Sequence, residues 1–271
     1  MSQLQYKFNK NDEYYTPIDL AKYCIDKTFE IIGKENITDI IEPSAGNGSF
    51  SNQLDCTAYD LYPEGDNIIK QDYLTLNETY KKGRLIIGNP PYGNHLNLAQ
   101  KFYKKSVKLG DYIAFILPIS QLNNNQQMYE FDLIYSEDLG KQLYSNKKLH
   151  CCFNIYKRNI NGLNKKPNYK LKDVEIKDYR KRKDSKTIPS DYNYDIAICG
   201  WGYNVGNKIE YTGQYTKELY IKIKNDKYRQ EVIDLINNTD WKKYIRSING
   251  TKVLKLWQIY KYIKEQIPEI E

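Results

Sequence analysis

Asp39-Ile40-Ile41-Glu42-Pro43-Ser44-Ala45-Gly46-Asn47-Gly48-Ser49-Phe50 is the stretch that decides the fold. Asp39 to Ile41 reads as a short strand that ends on an acidic residue, Glu42. Gly46 and Gly48 follow at once, and glycine lets a backbone turn tightly and approach a ligand without a Cβ clash. Strand, glycine turn and short helix make one unit of a layered α/β domain. Upstream, Thr16-Pro17 reads as an N-cap followed by proline at the first helical position. The helix after it puts Leu20, Cys24, Ile25, Thr28, Phe29 and Ile32 on one side.

Downstream the alternation continues. A second strand ends at Tyr59-Asp60, and Ile68-Ile69 is a third, followed by Gln71-Asp72-Tyr73. The interval from Gly48 to Asp60 leaves room for at most about two helical turns. Arg84 to Gly88 is a buried strand running straight into Asn89-Pro90-Pro91-Tyr92. Leu96 to Leu109 reads as a helix, Tyr112 to Leu117 as a central strand, and Leu139–Tyr144 with Leu149–Tyr156 as a hairpin across Ser145 to Lys148. Strands alternating with helices predict a mostly parallel sheet closed by that hairpin.

Composition changes near Asn159, so residues 1–159 and 160–271 are expected to form separate parts. Asn164 to Asp195 is polar and reads as a long loop, linker or ragged subdomain. A strand from Asp195 to Cys199, a turn from Gly200 to Gly206 and a strand from Tyr220 to Lys224 follow. Thr251 to Gln266 reads as an amphipathic helix, with Leu256, Trp257, Tyr260 and Ile263 on its docking face. Residues 1–150 carry 16 Lys+Arg against 19 Asp+Glu, whereas residues 151–271 carry 25 against 15. A near-neutral half joined to a basic half suggests chemistry in one and attraction of a polyanion in the other. The 27 tyrosines suit base stacking and an ordinary core alike.

Several classes are disfavoured. Mean hydropathy is −0.76, and no apolar run approaches the roughly 18–20 residues that span a bilayer. Met1 to Lys10 lacks the apolar stretch of a signal peptide, so a cytoplasmic location without membrane contact is expected. The five cysteines form no C-x-x-C pair, and there are only two histidines, His95 and His150. Neither a disulfide framework, a metal site nor histidine-based catalysis is expected.

Four segments carry chemistry. Glu42, at a strand end beside a glycine turn, can receive an ammonium group. Asp60, ending the next strand, can accept hydrogen bonds from both hydroxyls of a ribose. Asp72 beside Tyr73 pairs an acceptor with a flat aromatic face, as an adenine requires. Asn89-Pro90-Pro91-Tyr92 is the most specific: two prolines fix φ and supply no N–H donors, which leaves a rigid, acceptor-only backbone beside an amide oxygen. Such a site suits an amine with two protons to donate, and Tyr92 adds a π-face for a planar base.

In this order the segments resemble the Asn-Pro-Pro-Tyr amino-methyltransferases, specifically the gamma-type N6-adenine DNA methyltransferases. Asp12-Glu13-Tyr14-Tyr15-Thr16-Pro17 resembles the family's leading motif, and Glu42 to Phe50, Asp60, Asp72-Tyr73 and Asn89 to Tyr92 resemble the four that follow. The likeness covers roughly residues 10–157, and Cys151 to Tyr156 fits the reversed terminal strand of such sheets. The resemblance implies a Rossmann-like methyltransferase fold with a mostly parallel seven-stranded sheet, plus a small basic C-terminal region. It implies S-adenosyl-L-methionine as cofactor. Glu42, Pro43, Ser44, Ala45, Gly46 and Gly48 would hold its methionine end, Asp60 its ribose, Asp72 and Tyr73 its adenine, and Tyr15, Thr16 and Pro17 would close over it. Asn89, Pro90, Pro91 and Tyr92 would form the catalytic motif, with the Asn89 and Pro90 oxygens presented to the target amine and Tyr92 stacked on the base.

An adenine in a duplex must flip out to reach such a pocket, at a cost of a few kcal/mol. Double-stranded DNA is therefore the expected partner, with Lys177, Arg180, Lys181, Arg182 and Lys183 on phosphates and Trp201 and Tyr203 toward the grooves. A cognate restriction endonuclease and solitary action, as in a mobile element, both stay open. The same motif serves enzymes that methylate RNA bases or protein glutamine, and a catalytically silent nucleic-acid-binding module is the reading from another class.

Overall fold

Four short strands set the architecture of the computed structural model, which describes residues 15–144, 147–180, 192–245 and 253–271. They are β1 (Asp39–Glu42), β2 (Thr57–Asp60), β3 (Ile68–Lys70) and β4 (Arg84–Gly88). β4 is buried along its whole length, as its run of Leu85, Ile86 and Ile87 requires of a strand covered on both faces. β5 (Tyr112–Pro118), likewise buried throughout, extends the parallel run. β6 (Asp132–Tyr144) and β7 (Lys147–Lys157) form the expected hairpin. The seven strands take the order β3-β2-β1-β4-β5-β7-β6. The first five are parallel, and β7 runs against both its neighbours.

Helix α1 (Ile18–Ile32) buries Ala21, Cys24, Ile25, Thr28 and Ile32 against the sheet, close to the face read from the sequence. Its start differs. Pro17 occupies the N-cap position and no side chain caps the helix. The Thr16 hydroxyl instead accepts a hydrogen bond from Asn89 Nδ2 at 3.2 Å. The helix expected after Gly48 is only one 3-10 turn, Ser51–Gln53, because β2 must begin by Thr57. Helix α2 (Asn97–Val107) starts one residue after Leu96, whose φ of +66° is not helical.

The first compact unit spans Met1–Pro167 and the second Asn168–Glu271. Residues beyond Asn159 stay with the first unit because Asn159 and Asn164 both donate to the Asp132 carboxylate. The second unit is an antiparallel sheet, order β8-β10-β9, made of β8 (Val174–Arg180), β9 (Ile196–Cys199) and β10 (Lys217–Ile223), with helices α3 (Arg229–Asn238) and α4 (Leu256–Gln266). Its core joins Val174, Ile198, Ile221, Ile236, Trp241 and Ile263.

Three features of the second unit go beyond or against the reading of the sequence. The polar stretch 164–195 contains a strand, β8, because Val174 and Ile176 alternate with charged residues and bury one face. α3 has only Val232 and Ile236 buried, too sparse a stripe to stand out in a polar window. α4 turns Ile259, Tyr260 and Ile263 inward, whereas Leu256 and Trp257 are only partly buried, and Trp257 stacks on Tyr169 at 6.1 Å.

A buried polar web ties β5's end to the reversed hairpin. Asn154 is fully buried. Its Nδ2 donates to the Gln121 carbonyl at 2.8 Å and to Tyr156 Oη at 2.9 Å, and its Oδ1 accepts from Ser136 Oγ at 2.7 Å. Asn154→Leu keeps the branched shape, adds some bulk and strands those partners, so it should lower unfolding stability by about 3 kcal/mol in urea titration.

Candidate functional site

The loops that leave β1, β2, β3 and β4 do so at the same edge of the sheet, because the strands are parallel. Together with Tyr15 and Thr16 they line one cavity of about 190 Å³. Ligands of open α/β sheets bind at this carboxyl edge.

Glu42, the last residue of β1, is 1% exposed. Its Oε2 accepts no hydrogen bond from the described residues. Burial pushes its carboxyl up to about 7; the neighbouring Ser51 hydroxyl and amide pull it down, and the Asp60 charge adds a further upward push. The turn that follows is fastened to β2 by two adjacent amides. Ala45 N donates to Tyr59 O at 3.0 Å, and Gly46 N donates to Asp60 Oδ2 at 2.8 Å. Gly46 has φ +53°, and a Cβ there would lie 3.2 Å from the Tyr15 ring. Glycine at this position thus serves both the turn and the packing of Tyr15 over it.

Asp60 ties two loops together, its other oxygen accepting from Tyr62 N at 2.8 Å. A carboxylate offers about four acceptor sites, so capacity for hydroxyl groups remains. Asp72 accepts from Leu74 N at 2.9 Å and caps a one-turn 3-10 helix, Tyr73–Thr75. Tyr73 is 2% exposed; its hydroxyl meets Ser106 Oγ at 2.8 Å and its ring stacks on Phe102 at 5.3 Å. Its ring packs into the core and, with Phe102, also lines the cavity. The open apolar surface at this end of the cavity comes from Leu61 and Tyr62, 41% and 52% exposed. Sequence reasoning missed this pair, although two large apolar residues directly after a strand-ending acid were the available signal. Phe50, Gln71 and Leu74 also line the cavity, and nothing in their spacing singles them out.

Asn89 follows β4 directly. Its Nδ2 donates to Thr16 Oγ1, its carbonyl accepts from Ser44 Oγ at 3.2 Å, and Thr16 O accepts from Ser49 Oγ at 2.7 Å. These bonds lock the segment before α1, the turn after β1 and the Asn-Pro-Pro-Tyr segment into one assembly. Pro43, Pro90 and Pro91 line the same cavity, and Tyr92 is half-buried there. Pro17 and Gly48 stand beside it, Gly48 with φ +86° in the turn. After Tyr92 the backbone is left-handed at Gly93, His95 and Leu96. Non-glycine residues in that region cost of order 1 kcal/mol each, and such strain collects at functional loops.

The residues expected to meet DNA lie in the second unit. Lys177 on β8 approaches Glu175 at 3.5 Å and lies 3.7 Å from the Tyr192 ring centroid. Arg180 ends β8, its backbone paired with Lys217. Lys181, Arg182 and Lys183 lie outside the described residues, as do Asp12, Glu13 and Tyr14. Trp201 is 42% and Tyr203 82% exposed, with Lys242 Nζ 4.9 Å from the Tyr203 ring centroid.

Five parallel strands closed by a reversed hairpin strand, with site loops at the carboxyl edge, define the Rossmann-like fold of S-adenosylmethionine-dependent methyltransferases. The chain is 30% identical over 165 residues to the type II methyltransferase M.HincII of Haemophilus influenzae, an alignment covering 49% of this chain and 31% of that protein. It is 26% identical over 155 residues to the type II methyltransferase M.CvrRI of Paramecium bursaria Chlorella virus XZ-6E, covering 45% and 40%. The chain thus spans about a third of the length of the curated relatives it matches. Among solved structures, the 23S rRNA methyltransferase ErmE aligns at 13% identity and a TM-score of 0.41, over 56% of this chain and 72% of that one. No family model matches the chain. Among the described residues, no helix is long and apolar enough to cross a membrane.

The buried Glu42 gives a prediction on the protein alone. Between its unperturbed value of 4.5 and about 7, the folded state holds a proton that the unfolded chain has lost. Stability therefore falls as pH rises through that window. Glu42→Gln should match the wild type near pH 4.5 and exceed it by roughly 3 kcal/mol at pH 8 in urea unfolding.

Proposed function

We propose that the chain transfers a methyl group from S-adenosylmethionine to the exocyclic N6 amine of adenine in DNA. The observation that carries this is the convergence of a buried, unpartnered carboxylate oxygen and the Asn-Pro-Pro-Tyr segment on one cavity. A buried carboxylate with one oxygen left unsatisfied calls for a cation, and the ammonium of the cofactor's methionine end supplies one, so the residues present fit the group. Glu42 and the 43–48 turn would hold that end, Asp60 the ribose, and Asp72 and Tyr73 with Leu61 and Tyr62 the adenine. When bound, S-adenosylmethionine supplies a methyl group activated on a sulfonium.

The chain's own residues do the rest. The lone pair of adenine's N6 is delocalised into the ring, so the amine is a poor nucleophile. Asn89 Oδ1 and the Pro90 carbonyl would accept its two protons, localise the lone pair and orient it. The same oxygens would stabilise positive charge developing on nitrogen. The new N–C bond would replace the S–C bond, whose electron pair stays on the thioether sulfur, and the methylated nitrogen would then pass one proton to solvent, so no strong base is required of the site. Thr16 and Ser44, by holding the Asn89 side chain and carbonyl, pre-set that geometry. Tyr92 would stack on the extruded base.

The similarity to type II methyltransferases favours DNA over RNA or protein glutamine as the methyl acceptor. In the second unit, exposed Tyr203 beneath Lys242 pairs a flat π-face with a cation, a combination suited to nucleic acid; with Trp201, Lys177 and Arg180 it is the proposed contact surface. The test is Asn89→Ala with labelled cofactor and duplex DNA. Methyl transfer into N6-methyladenine, identified after nuclease digestion, should fall by about 10²–10³-fold, while cofactor affinity by equilibrium dialysis stays near wild type. Equal loss of both would remove Asn89 from the amine's contacts, and label recovered only in RNA or protein would overturn the substrate.

A further inference from the structure

Tyr92 is held at its far end by a residue that no catalytic motif contains. Its hydroxyl lies 3.5 Å from Cys151 Sγ, on β7. In sheet order β7 is two strands from β4, with β5 between them. The ring of Tyr92 therefore reaches past the end of β5, where Pro118, its last residue, pairs with Cys151. On the other side Cys151 pairs with Gly140, immediately after a bulge between Asp138 and Gly140 in β6. A bulge bends a strand locally and re-aims the side chains around it, and Gly140, at φ +70°, is the residue that accommodates the bend.

Cys151 is fully buried. Its core cluster includes Cys24 of α1 and Tyr144 of β6, with Tyr92 packed against it; Tyr92 also packs against the cluster on the α2 side. The main chain of Tyr92 is fixed as well. Its carbonyl accepts from Leu98 N at 3.1 Å and Ala99 N at 3.4 Å, at the start of α2, and Pro91 restricts the residue before it. With backbone and hydroxyl both held, what remains for the cavity is the face of the ring.

We propose that Cys151 is a positioning residue, which sets the tilt of the Tyr92 ring on which the target base stacks. The proposal rests on the reading above, that a planar amine-bearing base is drawn to Tyr92. Stacking depends on tilt and offset, so a ring freed at its hydroxyl end, able to turn about χ1 and χ2, loses preorganisation even though its π-face is intact. A thiol suits the place: it packs as a small hydrophobe in a buried strand and still makes a weak hydrogen bond. The reversed strand thus does more than close the sheet, since it carries the back support of the catalytic loop.

The experiment is a double-mutant cycle on the full chain with Tyr92→Phe, Cys151→Ala and their combination, plus Cys151→Ser. Tyr92→Phe keeps the ring and removes only its anchor. Each single variant should lower kcat for labelled methyl transfer into duplex DNA by about fivefold or more, and the double variant should be no worse than the weaker single one. Cofactor affinity should stay within about twofold of wild type, and Cys151→Ser, which keeps a hydrogen-bonding atom, should recover most of the rate. Additive losses, an unchanged kcat in Cys151→Ala, or a parallel loss of cofactor binding would overturn the proposal. Urea midpoints of the same proteins test the contact without turnover: non-additive shifts support it and additive ones reject it. A wild type that leaves DNA unmethylated defeats the functional reading, and the urea cycle still decides the contact.

Discussion

Carrying a carboxylate to 1% exposure at the end of β1 costs free energy unless its oxygens are satisfied. In Glu42 one oxygen is not, and burial pushes its carboxyl up to about 7. The surrounding structure holds that unfavourable group in place. Asp60 reaches back to Gly46, Thr16 is tied to Ser49 and Asn89, and Ser44 is tied to the carbonyl of Asn89. A rigid shell around an unsatisfied anion is what a site prepared for a cation requires, because a shell free to relax would turn the carboxylate toward water.

The parallel run of strands is what makes such a shell buildable. Each strand ends at the same edge, so residues far apart in sequence arrive together without long connections. At the opposite edge Arg84 pairs with Asp39 and Glu78, where the strands begin. Those pairs lie at the end of the sheet away from the cavity. The hairpin strand β7 then brings a fifth element to the site from the opposite direction, through Cys151 and Tyr92.

The strands of the first unit were legible because their apolar runs are short, bounded and end on Glu42, Asp60 or Asn89. The cavity's polar lining was legible for the same reason, since residues at strand ends are named by the strands. What could not be read was the direction of side chains. Tyr73 lines the cavity beside Asp72 with its ring stacked on Phe102 in the core, and the more open surface comes from Leu61 and Tyr62. Thr16 has the composition of a helix cap, but its hydroxyl serves Asn89, a preference decided by a residue 73 positions away. In the second unit the lysine-rich composition hid β8 and α3, whose inward residues are few and separated by charges.

Calorimetric titration with S-adenosylmethionine at pH 6.5, in two buffers of different ionisation enthalpy, tests the cation site most directly. If Glu42 receives the cofactor's ammonium, binding must release the proton that burial keeps on its carboxyl. Proton release should be present in the wild type, fade by pH 8, and vanish in Glu42→Gln together with at least about tenfold in affinity. Tight binding without proton release, or a Glu42→Gln variant that binds as the wild type does, would contradict the assignment of that buried oxygen to the cofactor.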